Sequence, residues 1–475
     1  MLIFGNQLNR PYCMVRFLLG LTLASTFVSC SDSSVHNPSI FFGGEIVNPT
    51  SDYVVLYHND SYVDSVKLDD KNRFSFRLDS IDEGLYHFDH APELQYVYLS
   101  QGDSLVARLN TVEFDESLVY SGTGSEINNF LIEIFLKNEK EESIVKDFYK
   151  LDPKAFSAKI DSLHAEKAEQ LKELAIDVQL TPRAMAVAEA AIDYNAYITK
   201  EKYPFYHKRE TGEETIHELD GDFYAYRKKI DFNNKDLTYF RPYFDFMKWH
   251  FGNMSYTTCM ENCATDKKPV NDRLHFNKHK LALVDSLVSQ TELRDILFRN
   301  VAMDYLLREH RTSDEATAFI EKFKSLSSNS AHKEEIDLLY KGIKNLQPNT
   351  ALPNLMVKDF NNTGVSIKDL ANNKKNTVFY FWTAEQKNHF RNVNRHITSL
   401  EEKYPHYNFI GINLRTNFTE WKHLMEEYKL DQSKQFFGEN FKELQMAMII
   451  DGLNKCVIAK DTIVVDGFAN LYTSL

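Results

Sequence analysis

The stretch that most constrains what this 475-residue chain can fold into runs from Thr377 to Leu414. Thr377 to Trp382 is a short, unbroken apolar and aromatic run, the pattern of a strand buried on both faces. Phe390, Val393, Ile397 and Leu400 then recur at helical spacing, and Tyr407 to Leu414 reads as a second buried strand. Strand, amphipathic helix and strand in that order predict a βαβ unit with parallel strands and a right-handed crossover. Chemistry is expected at the turn after the first strand, because a helix N-terminus offers unpaired N–H groups and favours negative charge. That turn reads Thr383-Ala384-Glu385-Gln386-Lys387-Asn388-His389.

Phe381-Trp382 followed by a short turn and an amphipathic helix resembles the membrane-anchored thioredoxin-like thiol–disulfide oxidoreductases of the TlpA/ResA type. So does the lead-in, Leu352-Pro353-Asn354-Leu355 through Asp359 and Gly364 to Ile367-Lys368-Asp369-Leu370. The resemblance covers the closing part of the chain and implies an α/β thioredoxin-like domain. It also implies a Cys-x-x-Cys dithiol after the Trp and a cis-proline before the fourth strand, facing that dithiol. Counting from Trp382 puts Gln386 and His389 at the two cysteine positions. Aligning Gln445 to Asp451 with the fourth strand puts Gln445 at the proline position. Thiol–disulfide exchange needs a thiolate attacking sulfur, and an amide and an imidazole cannot replace that pair. The expectation is a thioredoxin-like fold without thioredoxin chemistry, with no catalytic residue, no cofactor and no metal. Its contact surface is expected at Trp382, Thr383, Glu385, Gln386 and His389, with Gln445 facing them.

His389 and His396 lie seven residues apart and share a helix face, the spacing of a two-histidine metal or acid–base pair. With no third ligand or carboxylate evident beside them, His389 is expected to be a surface residue at the helix start. Glu385 is accounted for by the helix dipole.

Upstream, Arg16 precedes an apolar run from Phe17 to Val28, too short to cross a bilayer as a helix. It ends in Thr26-Phe27-Val28-Ser29-Cys30, which looks like a lipoprotein signal peptide with Cys30 as the lipidated first residue of the mature chain. Met14 directly before the charged region is an alternative start to Met1. Without Cys13 and with Cys30 acylated, three of the five cysteines remain, too few for a disulfide framework. Cys456 reads as a small buried hydrophobe beside Val457 and Ile458. Cys259 and Cys263, four apart and so on one helix face, are a candidate disulfide or two free thiols. A relocated redox pair and a metal site are the other readings of the two.

The fold class expected is multidomain: an N-terminal β-sandwich, a central all-α region and the C-terminal α/β domain. The boundaries expected are residues 1–30 for the signal peptide, 31–38 linker, 39–124 sandwich, 125–347 helical region and 351–475 thioredoxin-like domain. Seven short runs between Ile40 and Leu109, separated by turn residues such as Asp64 and Asp103, support the sandwich. Ala155 to Ile176, Thr181-Pro182 onward, Thr291 to Leu307 and Ser313 to Leu326 are helical, with Ser313 as an N-cap. The aromatic stretch from Phe223 to His250 is read as a packing core, and Phe468 to Leu475 as a closing helix of scarcely two turns. A net charge of −13 leaves no basic surplus for phosphates and argues against a nucleic-acid partner.

Two functions remain open from the sequence. One is a lipid-anchored protein of a Gram-negative cell envelope, redox-inert, that binds a peptide or partner protein. The other is a thiol–disulfide oxidoreductase using Cys259 and Cys263.

Overall fold

The computed structural model describes residues 39–475 apart from 80, 218 and 264–271, so the signal segment, Cys30 and the linker lie outside the described residues. Among the described residues, no helix is long and apolar enough to cross a membrane.

Eight strands come first: β1 (Ile40–Val47), β2 (Tyr53–His58), β3 (Ser61–Lys67), β4 (Arg73–Leu78), β5 (Gly84–His90), β6 (Glu93–Leu99), β7 (Ser104–Asn110) and β8 (Val119–Thr123). A short helix, α1 (Phe114–Ser117), lies between the last two. They form two four-stranded sheets, β4-β1-β7-β8 and β3-β2-β5-β6. In β4 and β7 every second residue is buried, the period of a strand with one face on a core. Ile40 and Phe42 of one sheet and Leu56 and Phe88 of the other belong to a single apolar cluster. Asp103 is a turn residue as expected, and its carboxylate accepts from the Ser100 N–H at 2.7 Å. It is nearly fully buried, and desolvation pushes its carboxyl up to about 6.

Eight helices follow: α2 (Ser125–Phe148), α3 (Pro153–Asp177), α4 (Pro182–Thr211), α5 (Arg241–Asn262), α6 (Arg273–Leu287), α7 (Thr291–Glu309), α8 (Asp314–Leu326) and α9 (Ser330–Asn345). Their starts are written in the sequence. Asp152, Thr181 and Ser313 each accept a first-turn N–H, and Pro153 and Pro182 occupy positions where no N–H is needed. The aromatic stretch is core: Phe223, Tyr226, Tyr243 and Phe246 are all buried. At its centre the fully buried Glu201 of α4 accepts from Arg227 (2.9 and 2.5 Å), His250 (2.8 Å) and Asn253 (2.7 Å).

The last region contains β9 (Met356–Lys358), β10 (Gly364–Ser366), α10 (Ile367–Ala371), β11 (Asn376–Trp382), α11 (Lys387–Lys403), β12 (Tyr407–Asn413), α12 (Phe418–Glu427), β13 (Gln435–Phe437), α13 (Phe441–Met448), β14 (Cys456–Lys460) and β15 (Ile463–Asp466). The sheet order is β10-β9-β13-β12-β11-β14-β15, with β11 parallel to β12 and antiparallel to β14, and β14 antiparallel to β15. A βαβ unit joined in one sheet to an antiparallel ββ hairpin beside its first strand is the thioredoxin-like topology. Residues 376–382 are apolar almost throughout because both faces are covered. Val378, Tyr380 and Trp382 pack with Phe390 and Val393 of α11, whereas Phe379 and Phe381 join the cluster that runs into α9.

The expected closing helix is absent. Residues after Phe468 form turns, in which the Leu471 carbonyl sits 3.1 Å from His396 Nε2 and the Tyr472 ring stacks on the His396 ring at 4.5 Å. On the opposite face, Phe379 and Phe381 share an apolar cluster with Leu444 and Met448 of α13 and with Leu339 and Ile343 of α9. A methyl group added at Gly342 would lie 2.7 Å from Ile449. Core packing between β11 and β12 is equally close at Gly411, where an added Cβ would strike the Gln435 amide oxygen and lie 2.8 Å from Tyr380 Cζ. Gln435 there accepts from Trp382 Nε1 at 2.9 Å and donates to the Tyr380 hydroxyl at 2.6 Å. Gly411→Ala should therefore cost about 2–3 kcal/mol through overpacking and a displaced buried hydrogen-bond network, measured by urea unfolding.

Candidate functional site

The end of β11 is fixed before the turn begins. Trp382 is fully buried and its carbonyl accepts from Leu414 N at 2.8 Å. Thr383 is also buried, its hydroxyl accepting from Glu385 N at 3.3 Å, and Ala384 N donates to Thr416 Oγ1 at 3.3 Å. The turn 383–386 is thereby tied to the turn that follows β12. Trp382 and Thr383, expected on the contact surface, are instead the packed footing beneath it. The reason is the strand period: Trp382 points with Val378 and Tyr380 into the layer beneath α11.

What reaches the surface is Glu385, Gln386, Lys387 and Asn388, with His389 half-buried behind them. Gln386 is the N-cap of α11 but its side chain caps nothing, so the first N–H groups of the helix have no side-chain partner from it. Together with Arg391, these residues line an open depression of about 570 Å³. Neither His389 ring nitrogen has a well-formed hydrogen bond. Burial lowers the pKa of His389, with the nearby Leu453 carbonyl acting in the opposite sense, so the imidazole is neutral at neutral pH. Burial raises the Glu385 carboxyl, and the charge of Arg415 offsets part of that shift. His396 is engaged by the C-terminal turns and does not pair with His389.

Gln445 is not in the facing loop. It lies in α13, bonded weakly to the Ile450 carbonyl at 3.4 Å, because the stretch before β14 is helical. The strand is eleven residues later, at Cys456–Lys460, and the residue directly before it is Lys455. The short apolar run Cys456-Val457-Ile458-Ala459 was the signal for this, and the longer apolar stretch ending at Ile450 outweighed it. Lys455 is buried, its ammonium 4.5 Å from the Phe468 ring, and desolvation lowers its pKa to about 8. Among the described residues the one cis peptide is Ala91–Pro92, in the first region.

Sulfur is elsewhere. Cys456 is fully buried in β14, and burial pushes its thiol up to about 12. Cys259 and Cys263 lie at the C-terminal end of α5 with both thiols free, which sets aside the disulfide among the readings open for them. Cys259 is fully buried and its thiol is raised to about 11 by desolvation and the neighbouring Cys263. The thiolate is the attacking form of a cysteine, so burial of this kind works against Cys259 as a nucleophile. The turn itself offers an amide, a neutral imidazole, one carboxylate, two cations and free N–H groups. That set can hold a polar chain; it contains no atom that exchanges electrons.

No protein-family model matches this chain, and no curated protein does. Solved structures similar to it include the thioredoxin domain of a thiol-disulfide oxidoreductase from Bacteroides vulgatus, at 17% identity over 26% of this chain and 87% of that one, with a TM-score of 0.22. A thiol:disulfide interchange protein from Bacteroides sp. is similar at 17% identity over 26% of this chain and 81% of that one, with a TM-score of 0.23. A thiol-disulfide oxidoreductase from Bacteroides fragilis is similar at 14% identity over 24% and 88%, with a TM-score of 0.21.

Proposed function

We propose that this chain is a lipid-anchored protein of a Gram-negative cell envelope whose thioredoxin-like domain is redox-inactive and binds a peptide or a partner protein. In this reading Cys30 carries the lipid, residues 39–124 form a β-sandwich domain and 125–347 a helical spacer. The domain at 351–475 presents the α11 N-terminus as its contact surface. The observation that carries the reading is Gln386 and His389 at the head of α11, where an active dithiol would stand. The turn keeps its framework, so an extended chain can still lie against it through polar contacts. The contact residues are Glu385, Gln386, Lys387, Asn388 and His389.

The test has two arms. In a dithiothreitol-coupled insulin-reduction assay, the full chain after Cys30 and its Cys259→Ala/Cys263→Ala variant should both run at the uncatalysed rate. Turnover that the double substitution abolishes would establish the oxidoreductase reading instead. In the native envelope, a photo-crosslinking residue at Gln386 should capture a discrete partner, and one at Ile176, 83% exposed on α3, should not. Equal labelling from both positions, or none from Gln386, would remove the binding role. Cys30→Ala should release the protein from the membrane fraction without changing its fold.

A further inference from the structure

Four side chains outside the thioredoxin-like turn converge at the junction of α5 and α6. Cys259 and Cys263 lie one turn apart at the end of α5, where Cys263 N donates to the Cys259 carbonyl at 2.9 Å. His275 and His279 lie one turn apart near the start of α6, which Asp272 caps. Their sulfur and ring-nitrogen atoms all fall within 4.8 Å of one another. Cys259 is fully buried and the other three are half-buried. His275 Nε2 is buried with no hydrogen-bond partner, an orphan donor–acceptor beside two unbridged thiols. The helices are held in register one turn away by Ser255, whose hydroxyl donates to the Phe276 carbonyl at 2.9 Å, and by Tyr256 stacked on Phe276.

We infer that Cys259, Cys263, His275 and His279 form a structural zinc site. Cysteines separated by three residues and histidines separated by three residues match the ligand spacing of closed two-cysteine, two-histidine sites. Two thiolates and two imidazoles are a donor set that selects zinc over calcium or magnesium. The geometry is close to assembled. Cys263 Sγ and His279 Nε2 are 3.6 Å apart, and bonds of about 2.3 Å to sulfur and 2.0–2.1 Å to nitrogen at a tetrahedral angle give an edge of about 3.6 Å. Four protein donors leave no open position for water or substrate, so the ion ties α5 to α6 and does not catalyse. Binding deprotonates both thiols and releases their protons. Among the described residues, the other cluster of this kind, His207, Glu213 and His217, lacks an orphan: His207 Nδ1 lies 2.7 Å from the Tyr149 carbonyl and Glu213 spans both rings.

This inference is independent of the binding role proposed for the α11 turn, and it removes Cys259 and Cys263 from any redox chemistry. The full chain after Cys30, purified with zinc and desalted, should retain about one zinc per chain by elemental analysis. Cobalt(II) in its place should give the intense ligand-field and thiolate charge-transfer absorption of a tetrahedral sulfur-ligated ion, a readout that needs no variant. His275→Gln/His279→Gln should abolish both signals while the circular dichroism spectrum is kept, and chelation of the wild type should lower its Tm. Zinc-free protein whose Tm is indifferent to zinc and chelator would overturn the assignment. So would octahedral, sulfur-free cobalt absorption, or envelope-purified chain carrying a Cys259–Cys263 disulfide by mass spectrometry.

Discussion

Glu201→Ala should destabilise the helical region by about 3–5 kcal/mol, a fall in Tm on the order of 10 °C, read by urea and thermal unfolding. Glu201 is wholly enclosed, and desolvation by itself would raise its pKa. Hydrogen bonds and charge from His250 and Arg227 outweigh that and hold the carboxyl down at about 2, from an ordinary 4.5. Removing it leaves Arg227, His250 and Asn253 aimed at a hole, so the loss includes their unmet desolvation as well as the vanished pairs. The sign with pH follows. Because the folded-state pKa lies below the unfolded one, the stabilisation is fully present above pH 4.5 and disappears as pH falls from 4.5 towards 2. Its size is about 3 kcal/mol. Wild type and Glu201→Ala should therefore converge in stability over that window. A gap that stays constant down to pH 2 would show that the carboxylate is not what these groups depend on.

Placing sulfur at the head of α11 should introduce thiol–disulfide chemistry there. Gln386→Cys/His389→Cys places two thiols at the head of α11 with the Cys-x-x-Cys spacing, one exposed and one half-buried beside the loop before β14. The helix N-terminus lowers thiol pKa values, which makes the outer sulfur the attacking thiolate and the inner one the resolving thiol. In oxidised glutathione the pair should close, losing two titratable thiols and about 2 Da relative to the dithiol. Insulin reduction should rise on the order of tenfold or more over the wild-type chain, and Gln386→Cys/His389→Ser should not show the gain. If both thiols stay reduced in an oxidising buffer, the turn lacks dithiol geometry.

The βαβ unit was legible because its signals are local and repeated. β11 and β12 were visible as apolar runs, and the four predicted helix positions Phe390, Val393, Ile397 and Leu400 are all buried. The helix starts at Thr181 and Ser313 were equally plain, since a cap is a single side chain acting within one turn. Gln445 was misplaced for a physical reason. The run from Met446 to Ile450 is apolar enough for a buried strand, but its hydrophobes are spent in α13 against α9, a surface far away in sequence. Trp382 and Thr383 were assigned to the surface by position in a motif; strand alternation puts Trp382 in the layer beneath α11, and Thr383 is buried in the turn, where its hydroxyl accepts from Glu385 N.

The residues alone settled what the α11 turn lacks: no order of packing can put a thiol where the chain carries Gln386 and His389. They also fixed the helical face of Cys259 and Cys263, through a spacing of one turn. Which groups those two sulfurs meet was decided only in three dimensions. His275 and His279 belong to another helix, and the packing of α5 on α6 brings the four together. Spacing along a chain reports neighbours on one element; proximity between elements depends on which faces bury one another, and that is a property of the whole core.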